Sequence, residues 1–121
     1  MSWLNSVLEI GNAIIDYREA EAAIHSPEGR KHSFATRKAW AAIFTLIERP
    51  TMEQQHASAT ALTVGIAASE AAINDKTVSM YDQRRFLAIQ RALNRARHSI
   101  NDPHTAIGSI KETANTPPAL L

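Results

Sequence analysis

Charge alternates along this chain in blocks of about helical length, and that alternation limits how its segments can pack. Residues 1–29 hold Glu9, Asp16, Glu19, Glu21 and Glu28 against Arg18, and residues 30–50 hold Arg30, Lys31, Arg37, Lys38 and Arg49 against Glu48. The swing repeats. Residues 51–75 hold Glu53, Glu70 and Asp75 with no Lys or Arg, and residues 76–100 hold Lys76, Arg84, Arg85, Arg91, Arg95 and Arg97 against Asp82. A formal net charge of +1 conceals these opposed segments. An up-down-up-down bundle sets each acidic segment beside basic ones, and any arginine left over faces outward, available to an anionic partner.

A chain of 121 residues has the size of one domain and can close one core. Its apolar residues are mainly Ala, Ile and Leu, with only 6% aromatics and 4 Gly, a mixture that suits helices rather than sheets. The absence of Cys excludes a disulfide framework, a thiolate nucleophile and a Cys-ligated zinc, and is compatible with a reducing compartment. The first residues lack a basic region, and Glu9 interrupts what a secretion signal would keep apolar. The weakly polar stretch Ala57 to Ala68 is broken by Ser58, Thr60, Thr63 and Gly65 and is too short to span a bilayer. These features predict a soluble, cytoplasmic protein with no membrane partner.

Periodicity and punctuation predict an all-α fold: a four-helix bundle with a short fifth helix over residues 1–112, and a flexible C-terminal tail over 113–121. The first helix runs from about Ser2 to Ile24, with Leu4, Leu8, Gly11, Ile15 and Ala22 near one face. Ser26-Pro27-Glu28-Gly29 reads as its end, and Ser33 as the cap of a second helix that Pro50 stops. Trp40, Ile43, Phe44 and Ile47 are its expected core residues. Thr51-x-x-Gln54 is a capping box opening the third helix, which ends before Asn74-Asp75. Ala57, Ala61, Gly65 and Ser69 recur every four positions along it, so a second backbone can approach closely, either inside the bundle or across a self-association interface. Ser79 caps the fourth helix, which ends near Asn101, and Asp102-Pro103 opens the short fifth.

On a wheel of about 100° per residue the fourth helix gathers Phe86, Ile89, Leu93, Ala96 and Ile100 on one side and Arg84, Arg91, Arg95 and His98 on the other. The polar side is a cationic ridge about 21 Å long at 1.5 Å per residue, enough to follow several phosphates. Arginine's planar fork suits phosphate oxygens and carboxylates equally, so the ridge fits a nucleic-acid backbone or an acidic protein surface. Arg30, Lys31, Arg37 and Lys38 form a second cluster. With Ser33 as the cap, Arg37 and Lys38 fall in a first turn, where the helix dipole disfavours cations and an acidic neighbour or a bound anion offsets them.

Motifs of catalysis are scarce. Glu53-x-x-His56 has the spacing of a di-iron bundle, but no second Glu-x-x-His follows. No glycine-rich phosphate loop, nucleophile elbow or dinucleotide fingerprint is present, and His25, His32, His98 and His104 show no paired ligand spacing. No catalytic residue, metal site or cofactor is expected. In size, helical character and basic faces the chain resembles small helical subunits of CRISPR effector complexes and small phage and anti-defence proteins. Asp82-Gln83-Arg84-Arg85-Phe86-Leu87-Ala88-Ile89 resembles a helical segment of some phage nucleotide-sequestering proteins, although the rest of that pattern does not follow at the matching spacing. The expectation is a non-enzymatic binding or assembly subunit that contacts a nucleic-acid backbone inside a larger prokaryotic or phage complex. The alternative is a protein-interaction module, such as an inhibitor, immunity or assembly factor, that grips an acidic partner or self-associates.

Overall fold

A computed structural model describes residues 3–49 and 51–101, with side chains described from Leu8 to Ile100. Four helices follow one another, with no strand among the described residues: α1 Trp3–Ala23, α2 Pro27–Glu48, α3 Met52–Ile73 and α4 Met80–Asn101. Both α2 and α4 pack along α3, and α4 packs back on α1, while α2 and α4 touch only slightly across the diagonal. The expected fifth helix and the tail lie outside the described residues.

The start of α2 differs from the sequence expectation. Ser26, in extended geometry (φ −80°, ψ 147°), is its N-cap and accepts a 3.1 Å hydrogen bond from the Gly29 N–H. Pro27 then sits in the first turn, where its missing N–H costs nothing and its ring presets a helical φ. Thus Ser-Pro-Glu-Gly begins a helix here rather than ending one. Ser33 lies inside α2, donating to the Arg30 carbonyl at 3.0 Å, and Arg37 and Lys38 sit well past the first turn. The dipole penalty expected for these two cations therefore does not arise.

Gly29 is required by packing rather than by flexibility, since no glycine among the described residues has positive φ. A Cβ there would lie 2.7 Å from Asp82 Oδ2. Asp82, fully buried in the first turn of α4, accepts hydrogen bonds from the Ser26 hydroxyl, the Ser26 N–H (3.0 Å) and the His25 N–H (3.4 Å). Burial pulls its carboxyl up, but these hydrogen bonds outweigh burial and hold it below the ordinary aspartate value. Through these bonds Asp82 ties the α1–α2 turn to α4.

The core contains Ile10, Ala13, Tyr17 and Ala20 of α1, and Trp40, Ile43 and Leu46 of α2. Leu62 of α3 joins them, and α4 contributes the expected apolar side, Phe86, Ile89, Leu93, Ala96 and Ile100, all fully buried. Two faces differ from expectation. Phe44 and Ile47 are 40% and 42% exposed, with Leu46 buried in their stead, and Leu8 and Ile15 of α1 are more than half exposed. The α1 face that turns inward carries Tyr17, whose ring stacks on Trp40 at 4.7 Å between centroids. Burial raises the Tyr17 hydroxyl to a pKa of about 12, with the Glu21 carboxylate adding to the effect.

Small residues bring α2 and α3 together. A Cβ on Gly65 would lie 2.8 Å from Ala39 Cβ, and the buried Ser58 donates to the Ala42 carbonyl at 2.9 Å. Gly65 and Ser69 therefore face the bundle interior, while Ala57 is exposed and Ala61 half-buried, so the four-residue stripe is not one free surface. Thr51 caps α3 as the sequence predicts, accepting from the Gln54 N–H at 3.0 Å. The Gln54 side chain turns forward to Ser58 and does not close the reciprocal half of the box.

Candidate functional site

The arginines of α4 divide into four groups by their surroundings, one of them Arg97 alone, which donates to the Thr63 hydroxyl at 3.4 Å and to Asn94 Oδ1 at 3.2 Å. Arg84 and Arg91 are exposed, and neither has a carboxylate within salt-bridge distance among the described residues. Arg95 is half-exposed and pairs with Asp16 of α1. Arg85 lies over the Tyr81 ring, its guanidinium 4.6 Å from the ring centre and its buried Nε without a hydrogen-bond partner. His98 is exposed in the last turn.

Between α1 and α4 these side chains line an open cleft of about 670 Å³. Asp16 and Glu19 stand on the α1 wall, and Arg85, Arg91, Asn94 and Arg95 on the α4 wall. Three guanidinium groups against two carboxylates leave the cleft cationic, and Arg84 extends that character along the helix. The sequence reading places Arg84, Arg91, Arg95 and His98 on one ridge. It omits Arg85, which lies toward the apolar side of the wheel; the available signal is Tyr81 four residues earlier, on which a guanidinium can lie.

The second cluster, on α2, is also mostly unneutralised. Arg37 pairs with Glu21 of α1, whereas Arg30, Lys31 and Lys38 are exposed with no carboxylate partner among the described residues. Phe34, which the sequence reading passes over, stands among all four and is 65% exposed. Lys38 Nζ lies 5.3 Å from its ring centre. The two clusters lie on helices that touch only slightly, α2 and α4, each of which packs along α3.

The charge alternation is thus only partly satisfied within the fold. Among the described residues, Arg37–Glu21 and Arg95–Asp16 are the two arginine–carboxylate contacts, and both join α1 to a basic helix. The acidic α3 forms none; Glu70 instead accepts from Gln90 at 2.6 Å and from Asn74 at 3.3 Å. The excess cations therefore face solvent.

One grouping has the residue types of a hydrolytic triad but not its connectivity. Asp82, His25 and Ser26 meet at the α1–α2 turn, with His25 Nδ1 3.4 Å from Asp82 Oδ1. The Ser26 hydroxyl, however, donates directly to Asp82 while capping Gly29, so no imidazole stands between acid and hydroxyl. These contacts join the α1–α2 turn to the first turn of α4. Among the described residues no group of three or more His, Asp or Glu side chains is placed to hold a metal ion, and no helix is long and apolar enough to cross a membrane. Comparison of the chain with protein-family models, curated proteins and solved structures finds no match.

Proposed function

We propose that this chain is a non-enzymatic binding or assembly subunit that contacts the phosphate backbone of a nucleic acid through α4, within a larger prokaryotic or phage complex. The observation that carries this reading is the state of Arg84 and Arg91: exposed, about two helical turns apart, and without a carboxylate partner among the described residues. Arg85 and Arg95 add charge along the adjoining cleft. The basic face of α2, with Arg30, Lys31, Arg37 and Lys38, offers a second contact. A net charge of +1 provides little long-range attraction, which suits a subunit delivered to its ligand by a complex.

Fluorescence-anisotropy titration of labelled single-stranded and duplex DNA and RNA at two salt concentrations tests the reading. The R84A/R91A variant is the informative one, because Arg95→Ala would also break the pair with Asp16. Removing two phosphate contacts should weaken binding to all sequences and reduce the slope of log affinity against log salt by about 2. Unchanged binding in that variant would overturn the proposal. If instead an acidic polypeptide binds through the same arginines and nucleic acid does not, the chain is the protein-interaction module that the sequence also allows.

A further inference from the structure

We infer that the outer face of α2 is a stacking platform for single-stranded nucleic acid: an unpaired base lies on the Phe34 ring while its neighbouring phosphates meet Arg30, Lys31 and Lys38. This inference rests on the nucleic-acid reading above and adds the strand form selected and the second surface that selects it.

The arrangement follows from helical spacing. Arg30 and Lys31 precede Phe34 by four and three residues, and Arg37 and Lys38 follow it by three and four. In a continuous helix those four positions are the side-chain neighbours of the central residue. Since α2 begins at Pro27, the whole set lies within one regular helix. A 65%-exposed phenyl ring is thereby surrounded by four cations, one of them held by Glu21.

Beside the ring a shallow groove of about 410 Å³ opens between α2 and α3, lined by Lys31, Phe34, Ala35, Lys38, Ala61 and Val64. Val64, 58% exposed, adds apolar surface from α3. Lys31 and Lys38 are seven residues apart, about 10 Å along the axis, or roughly three nucleotides of a stacked strand at 3.4 Å each. One base on Phe34 thus has a cation within reach of the phosphates on either side. Lys38 Nζ lies over the ring, 5.3 Å from its centre, so a base stacking on that face displaces the ammonium toward the adjacent phosphate.

Charge and size select the occupant. The apolar part of the face is limited to Phe34, Ala35, Ala61 and Val64 and is flanked by cations, unlike the charge-depleted core of a protein interface. A duplex keeps its bases stacked inside, leaving the ring nothing to stack on, and would engage the cations alone. A single strand uses both parts of the surface.

The test is anisotropy titration of the full chain with a labelled mixed-sequence 12-nucleotide single strand and the matching duplex at 50 mM NaCl. Phe34→Ala should weaken single-strand binding about five- to hundredfold, the loss typical of one base–aromatic stack. Duplex binding should stay within about twofold, and Phe34→Trp should retain single-strand affinity. Because Phe34 is outside the core, far-ultraviolet circular dichroism of these variants should match the parent. Single-strand affinity unchanged in Phe34→Ala would overturn the inference, as would poly-glutamate competing as well as the oligonucleotide. If R84A/R91A binds like the parent while Phe34→Ala loses affinity, the α4 reading falls and this one stands. If the parent binds neither form, both fall.

Discussion

Asp75 shows how one carboxylate organises a connection. Its Oδ1 accepts from the Thr77 N–H at 2.9 Å and the Thr77 hydroxyl at 2.6 Å, and its Oδ2 lies 2.8 Å from His32 Nε2 of α2. Thr77's hydroxyl, then His32, then Thr77's N–H lower its pKa from 3.8 to about 2. A carboxyl depressed on folding stabilises the fold above its unfolded value and loses that contribution as pH falls through the folded value. Asp82 is depressed too and acts in the same direction. The urea midpoint should therefore drop between about pH 4 and pH 2, and Asp75→Asn should be less stable at neutral pH with a shallower drop across that window. An identical pH slope in parent and Asp75→Asn would show that the Asp75 contacts do not contribute. Such contacts were hard to read from sequence, because Asn74-Asp75 announces a turn but His32 is remote in the chain.

At the scale of elements, what was legible depended on whether the cue was local. The caps Thr51 and Ser79 and the inward side of α4 are legible in the sequence, since each depends on residues within a turn or on a helix with clear polar and apolar sides. The start of α2 is not legible locally, because Ser-Pro-Glu-Gly serves equally as a stop and as a cap followed by a first-turn proline. What decides between them is Asp82, more than fifty positions away. For the same reason Phe34 does not stand out in the sequence: its cationic neighbours surround it only when the helix continues through Ser33. Likewise α1 is apolar on more than one face, and the Tyr17–Trp40 stack, not periodicity, settles which one is buried.

The α2–α3 contact allows a quantitative test of element packing. Gly65→Ala should gain up to about 1 kcal/mol of helix propensity. The added Cβ, however, meets Ala39 Cβ at 2.8 Å, and pushing two helices apart costs about 1–3 kcal/mol. The net expectation is destabilisation, with the paired change Ala39→Gly relieving much of it despite its own propensity cost. A double-mutant cycle by urea denaturation would show favourable coupling above about 0.5 kcal/mol. Additive effects would mean that the two helices can separate without loss.

For the whole molecule, the question is what the opposed charges do if they do not hold the helices together. The two arginine–carboxylate contacts among the described residues are partly exposed, Arg95 39% and Asp16 48%, Arg37 63% and Glu21 19%, and such pairs contribute at most about 1 kcal/mol each. The buried set around Phe86, Ile43, Leu46 and Leu93 contributes far more, since each fully buried side chain of this size is worth about 1.5–3 kcal/mol. Stability should therefore respond little to ionic strength. Raising NaCl from 50 to 500 mM should shift the free energy of unfolding by less than about 2 kcal/mol, measured with urea because guanidinium is itself a salt. Two outward cationic faces repel weakly at low salt, so the small shift should be toward greater stability as they are screened. A loss of several kcal/mol would show that the alternation is used internally, and the arginines of α4 would then be structural. A flat or rising response, beside nucleic-acid binding that falls steeply over the same range, would separate the two uses of charge: the core holds the fold, and the surplus cations on α2 and α4 are left for a ligand.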